Sequence, residues 1–358
     1  MSILSDGKKN MHGGNIYPYL KETGSEPLDF SVNISPLPVP EEVKRAFIDE
    51  AEHLHRYPDN ECIELREKLS VKYNVPAERI VIGNGASDLI YRIAYALKCK
   101  NVLMPVPAFS EYEAAFSVAG TKPEFYYTDA TKDFVIDSDL ADAISPETDA
   151  VIMGVPANPS GKLVDDRTLS EILKKCSECG TYLILDECFL PFIKDSLSIS
   201  TEDFNERVII IRSFTKIFAM PGVRLGCCLC GAGELAEKIK KAGAPWQVSS
   251  MACKAGVAAL EMNEYVKSVR RIVNTERSRL YDALEKAGAR IVKSDADFIL
   301  FQSDRLTEEE FIKRGILIRN CGNFRGLDDT WHRIAVKNTE DNDKFTMAIA
   351  DIVGGGQG

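Results

Sequence analysis

From about residue 40 to residue 230, short apolar runs alternate with stretches of helical periodicity. The runs are Arg79–Ile82, Asn101–Met104, Glu124–Tyr127, Ala150–Met153, Tyr182–Leu185, Val208–Ile211 and Arg224–Cys230; helical patterns cover Glu41–His53, Ile63–Tyr73, Ser87–Leu97, Glu111–Ala119 and Asp165–Cys179. The runs lack the every-second-residue polarity of a strand with one wet face, so they read as strands covered on both sides. Strands separated by helices run mostly parallel, because a helical crossover brings the chain back to start in the same direction. The expectation is an α/β fold with a mostly parallel seven-stranded sheet between helices.

At about 150 residues per domain, 358 residues make roughly two domains. Residues 1–35 are polar and punctuated by Gly and Pro, as expected of an arm lying on the body of the protein. Past Pro245-Trp246 the pattern changes to a long helical region, about 251–286, then to strand-like pieces at Arg290–Lys293, Phe298–Phe301, Ile316–Arg319 and Arg333–Val336. The expected division is therefore an arm at 1–35, a large domain at 36–245 and a smaller α+β domain at 246–358.

The net charge of −10 repels phosphate backbones, which argues against a nucleic-acid partner. No apolar run approaches the ~20 residues that span a bilayer, and the polar start Ser5–Asn10 is unlike the apolar core of a signal peptide. The expected location is cytoplasmic, with no membrane partner. Of the ten cysteines, Cys227, Cys228 and Cys230 lie inside an apolar run and read as reduced small hydrophobes. Cys176 and Cys179 have half of a zinc spacing, but no second pair is suitably placed, so no metal site is expected.

Chemistry collects where the runs end. Lys216 follows the run Val208–Ile211 by way of Ser213, Phe214 and Thr215, at the mouth of a parallel sheet where strand ends hold ligands. Such a lysine can form a Schiff base, and Ser213, Thr215 and Arg224 could hold a phosphate. The apolar run Tyr182–Leu185 ends in Asp186-Glu187; a carboxylate ending a buried strand needs a cationic partner, and a protonated pyridine nitrogen is one. Val151–Val155 ends in a turn carrying Asn158, whose amide can donate to a ring oxygen. Gly85-Ala86-Ser87 opens a helix whose first N–H groups face an anion; lacking a full dinucleotide fingerprint, this turn fits one phosphate better than a pyrophosphate. Phe109 follows another strand and is placed to stack on a flat ring.

Taken in order, these residues resemble the fold type I enzymes of pyridoxal 5′-phosphate (PLP), the aspartate aminotransferase superfamily. The resemblance runs from about His12 to Lys337 and is most specific at Ser213–Gly226, Asn158–Gly161 and Asp186-Glu187. It implies that Lys216 carries the cofactor and later moves a proton, that Asp186 pairs with the pyridine nitrogen, and that Asn158 donates to the ring oxygen. It further implies that Gly85, Ala86, Ser87, Ser213, Thr215 and Arg224 surround the cofactor phosphate and that Phe109 stacks on the ring. Arg56-Tyr57-Pro58-Asp59 matches the motif whose tyrosine reaches the partner subunit's phosphate, implying a homodimer with shared sites. Arg333 matches the arginine that grips a substrate α-carboxylate.

Within the superfamily the chain resembles the histidinol-phosphate aminotransferase branch and, more narrowly, the threonine-phosphate decarboxylases. The narrower resemblance rests on His12-Gly13-Gly14-Asn15, on Asp29–Leu37 and on Ile318–Phe324. It implies a small phosphorylated amino acid as substrate, with its phosphate near His12, Gly14, Asn33 and Arg319, and a place in cobalamin biosynthesis. Many aminotransferases of the superfamily have a tyrosine three residues after the cofactor aspartate; this chain has Phe189, as the decarboxylases do, which leaves Asn158 as the main ring-oxygen donor. The resulting expectation is decarboxylation of L-threonine O-3-phosphate to 1-amino-2-propanol O-2-phosphate and CO2. The alternative is a histidinol-phosphate aminotransferase or a related class I/II aminotransferase. A PLP-binding regulator without turnover is the third reading; such regulators carry an appended DNA-binding domain, for which the short arm is expected to leave no room.

Overall fold

In the computed structural model, which describes residues 12–200 and 203–355, the seven runs form a single sheet. Its strands stand in the order Ile80–Gly83, Gly226–Cys230, Val208–Ser213, Tyr182–Asp186, Ala150–Gly154, Asn101–Val106 and Lys122–Tyr127. Neighbours are parallel except at Gly226–Cys230, which runs antiparallel to both of its neighbours. The exception has a local cause. Only the single turn Pro221–Val223 lies between Ser213 and Gly226, so no helix carries the chain back and it reverses on itself. The sheet is therefore mostly parallel, as its sequence pattern predicts, and Val208–Ser213 and Gly226–Cys230 are buried along their whole length.

The flanking helices follow their sequence signals. Ala86–Leu97 buries Leu89, Ile90, Ile93 and Ala94 on one stripe, and Asp88 pairs with Arg92 one turn on at 2.6 Å. Asp166–Cys179 starts where the Asp165 carboxylate accepts the Thr168 N–H at 3.0 Å and stops at Gly180, which takes the left-handed φ of 71°. Cys176 and Cys179 lie in its last turn, and all ten cysteines are free thiols.

A second, antiparallel sheet has the order Arg319–Asn320, Trp331–Ala335, Phe298–Gln302, Arg290–Val292. One of its faces shares a core with the helices Asn263–Lys286 and Thr339–Gly354. The arm contributes to this core. Leu28–Asp29 pairs in parallel with Ile316–Leu317, and Phe30 is fully buried with its ring 4.6 Å from that of Phe345.

Two boundaries differ from expectation. The helical region 251–286 is two helices, Ser250–Ala259 and Asn263–Lys286, because each has its own partner: the first packs on Glu41–Asp49 and the second on Thr339–Gly354. The strand-like piece 316–319 divides between two sheets, Ile316–Leu317 serving the arm and Arg319–Asn320 serving Trp331–Ala335. The polar start Ser5–Asn10 lies outside the described residues, as does Gly356 of the run Gly354-Gly355-Gly356 near the end of the chain. Among the described residues no helix is long and apolar enough to cross a membrane.

Candidate active site

The parallel strands end together at one edge of the sheet, and their loops enclose a cavity lined by Ser87, Phe109, Asn158, Asp186, Lys216 and Arg224, among others. Lys216 leaves the strand Val208–Ser213 through Phe214 and Thr215 and points into this cavity. Among the described residues no carboxylate lies within ion-pair distance of it. Burial pushes its ammonium below the usual 10.5, and the guanidinium groups of Arg333 and Arg224 act the same way, against Cys188 and Asp297. A lysine so placed holds a larger uncharged fraction than an exposed one, and the uncharged amine is the nucleophile. The Phe189 ring lies 6.0 Å from its Nζ.

Asp186 and Glu187 have separate tasks. The Asp186 carboxylate lines the cavity and accepts the Tyr112 hydroxyl at 2.7 Å and the Cys188 N–H at 3.0 Å. Glu187 is fully buried on the other side, paired with Arg212 at 2.8 Å and accepting the Ser198 N–H at 2.9 Å. Burial, with the Asp186 carboxylate adding to it, holds the Tyr112 phenol well above its usual 10.0, so Tyr112 stays a donor.

At the opposite end of the cavity, three strand ends meet in register: Gly226 stands across from both Gly83 and Ser213. A Cβ on Gly226 would lie 2.9 Å from the Ala86 nitrogen and 3.0 Å from the Arg212 carbonyl oxygen, so only glycine lets the helix Ala86–Leu97 start this close. Gly85 sits at φ 86°, and a Cβ there would lie 2.5 Å from Arg224 Nη2. No side chain caps this helix start, and the Ser213 and Thr215 hydroxyls lie 2.7 Å apart. First-turn N–H groups, hydroxyls of Ser87, Ser213 and Thr215, and one guanidinium make a cradle for a single dianion.

Arg333 enters from the second sheet and is buried. It donates through Nη1 to Asn158 Oδ1 and through Nη2 to the Ser31 carbonyl at 3.0 Å. With Oδ1 occupied, Asn158 keeps its amide N–H groups for a ligand. Burial lowers the Arg333 guanidinium to about 10. Arg319, also buried, stands directly opposite Arg333 in the strand pairing; its Nη2 donates to Asn323 Oδ1 at 2.6 Å and its guanidinium lies 5.3 Å from the Phe324 ring centre.

The arm lies along this rim. His12 Nε2 meets Glu111 Oε1 at 2.9 Å, and its ring is 5.8 Å from that of Phe109. Gly14, at φ 85°, donates its N–H to Ser31 Oγ at 2.8 Å, and Asn33 is buried with Oδ1 unpartnered among the described residues. Tyr57 stands apart from the site: it is 80% exposed, its ring lies tilted 4.7 Å from that of Trp246, and it lines no part of this chain's own cavity.

Sequence reasoning did not assign roles to Tyr112, Ser31 or Asp297. Tyr112 had a usable signal, since it lies three residues past Phe109 on a helix start and so shares its face. Ser31 meets Arg333 through its backbone carbonyl, a contact that leaves no mark in side-chain chemistry. Among the described residues no group of His, Cys, Asp and Glu is arranged to hold a metal ion.

A family model described as aminotransferase class I and II matches residues 25–349. The chain belongs to the aminotransferase class I and II family. This class I/II chain is 30% identical over 352 residues to the threonine-phosphate decarboxylase of Salmonella typhimurium, a match covering 96% of this chain and 97% of that one. The histidinol-phosphate aminotransferase structure from Clostridium acetobutylicum superposes with a TM-score of 0.85 at 31% identity, covering 91% of this chain and 99% of that one. Aspartate aminotransferase from Thermus thermophilus shares the fold at a TM-score of 0.82 and 21% identity, over 93% of this chain and 94% of that one. The class I/II family is PLP-dependent, and this chain is a PLP-dependent enzyme. Its residues fit the cofactor on their own evidence: an anion cradle that a Cβ at Gly85 or Gly226 would disturb, a half-buried lysine with no ion-pair partner among the described residues, and a carboxylate facing the cavity.

Proposed function

We propose that the protein decarboxylates L-threonine O-3-phosphate to 1-amino-2-propanol O-2-phosphate and CO2. The observation that carries this reading is the pair of buried arginines, Arg319 and Arg333, at opposed strand positions, with Arg333 reaching the cavity wall at Asn158. Opposed Cβ atoms in such a pair lie about 4.5–5.5 Å apart. That separation suits one small ligand with two anionic groups, and L-threonine O-3-phosphate carries a carboxylate and a phosphate with two carbons and an ester oxygen between them. Histidinol phosphate has the phosphate and no carboxylate.

The cofactor, when bound, supplies an electron sink for charge developing at the substrate Cα. Ser87, Ser213, Thr215, Arg224 and the N–H groups beginning at Ala86 hold its phosphate, with Gly85 making room. Phe109 covers the ring face, Asp186 takes the pyridine N–H and Asn158 donates to the ring oxygen. Tyr112 holds Asp186 in place. Arg333 grips the substrate carboxylate and Arg319, with Asn33, Gly14 and His12 along the arm, holds the substrate phosphate. These two anchors fix which Cα bond stands where electron withdrawal acts on it. Held with the carboxylate in that position, the substrate loses CO2, and Lys216 Nζ delivers a proton to Cα. Phe189 places no hydroxyl over Lys216, which supports this outcome over transamination. The exposed Tyr57 is assigned to the cofactor phosphate of the partner subunit in a homodimer, and the compartment is the cytoplasm.

The experiment gives cofactor-loaded protein 2-oxoglutarate with either L-threonine O-3-phosphate or histidinol phosphate and assays glutamate. Neither mixture is expected to form it at the rate of substrate loss. Stoichiometric glutamate from histidinol phosphate would make the protein an aminotransferase.

A further inference from the structure

Asp297 stands one residue before the strand Phe298–Gln302, and no step above uses it. Its side chain is fully buried, and among the described residues neither carboxylate oxygen has a hydrogen-bond partner. Its backbone is fixed, the carbonyl accepting the Val336 N–H at 2.7 Å. Three cations act on the carboxylate from the elements around it: Lys216 from the loop after Val208–Ser213, Arg333 from the strand Trp331–Ala335, and Lys337 just beyond that strand. Asp29, in the arm, acts in turn on Arg333 and Lys337. The side-chain amide and backbone carbonyl that Arg333 contacts are neutral, so its charge is balanced through space by Asp297 and Asp29.

We infer that Asp297 is a positioning residue of the substrate site: it balances Arg333 while no substrate is bound and takes up one proton when a substrate carboxylate docks on Arg333. The inference rests on the reading that Arg333 grips that carboxylate. A second anion against the same guanidinium makes an ionised Asp297 costly, and a buried site screens that cost poorly. Burial already pushes the Asp297 carboxyl up to about 7, against the pull of the three cations. The proton comes from solvent to one Asp297 oxygen, and no bond of the substrate is involved. Carboxylate affinity therefore falls as pH rises through the titration of Asp297, and Asp297→Asn, which keeps the shape and loses the charge, removes that dependence.

The test titrates cofactor-loaded protein by calorimetry at about pH 8, in buffers of different ionisation enthalpy, to count protons taken up on binding. Two unreactive probes are used: 3-(phosphonooxy)butanoate, which is the substrate skeleton without its amino group, and 2-propyl phosphate, which also lacks the carboxylate. In the wild type, the carboxylate probe is expected to take up on the order of half a proton more than the other, and in Asp297→Asn the difference vanishes. Tighter binding of the carboxylate probe with no extra proton, or with the same extra proton in the variant, overturns the role of Asp297. Equal affinity of the two probes in the wild type overturns the reading of Arg333, and the inference with it. The wild-type arm decides even if the variant fails to fold.

Discussion

Arg319 and Arg333 face each other at opposed positions of one antiparallel strand pair; both are buried, and Arg333 reaches the cavity wall at Asn158. Like charges placed this way disfavour each other, and the field of Arg319 is one of the causes that lower Arg333. Bound anions relieve that repulsion. Arg319→Ala is expected to raise KM for L-threonine O-3-phosphate by about 10- to 100-fold, the loss of one or two charge-assisted hydrogen bonds. Binding of L-threonine, the analogue lacking the phosphate, should hardly change. Steady-state kinetics and competition with that analogue check this.

Lys216 is the proposed point of cofactor attachment. Lys216→Ala should take up the cofactor without a covalent link, so borohydride reduction followed by peptide mapping finds no pyridoxyl label. A label on another lysine would move the attachment site.

The hydroxyl of Tyr112 is expected to act through Asp186. Its donor is retained across ordinary assay pH because burial holds the phenol well above 10.0. Tyr112→Phe should fold normally and weaken cofactor retention by roughly 2- to 10-fold, the worth of one hydrogen bond of about 0.5–1.5 kcal/mol. Equilibrium dialysis of the cofactor measures it.

Gly226→Ala drives a methyl against the Ala86 nitrogen and the Arg212 carbonyl oxygen, both backbone atoms that cannot turn aside. The helix start must move away from the cradle. Cofactor affinity is expected to fall at least about 10-fold, with a stability loss of roughly 1–3 kcal/mol from overpacking. Thermal denaturation with and without cofactor separates the two effects.

Asp297 gives a pH signature to stability. Its folded-state carboxyl titrates near 7 against an ordinary 3.8, so the folded chain keeps a proton that the unfolded chain has lost. Stability is thus greatest below the unfolded value and is lost as pH rises towards and through the folded one. Asp297→Asn should flatten this slope, so that the variant loses less stability than the wild type as pH rises towards about 8. Urea denaturation across that range checks it.

The main sheet was legible because its inner strands are built on uninterrupted apolar runs, and Asp186, Asn158 and Lys216 were legible because each is a polar residue placed where such a run ends. The arm was not. Leu28–Asp29 is too short to leave a periodic trace, and its partner Ile316–Leu317 lies almost the length of the chain away. The break at Leu260–Met262 carries no Gly or Pro, since the two helices diverge to reach different partners rather than because either sequence stops. Asp297 escaped notice because an aspartate before an apolar run reads as a solvated loop residue; only the tertiary structure shows that it is enclosed.

The account is tested most directly by CO2 release from L-threonine O-3-phosphate labelled at the carboxyl carbon, by cofactor-loaded protein with no 2-oxo acid present. One equivalent of labelled CO2 for each 1-amino-2-propanol O-2-phosphate formed, over many turnovers, is the predicted result. Unchanged substrate with the label retained, from protein shown to hold its cofactor, would contradict it.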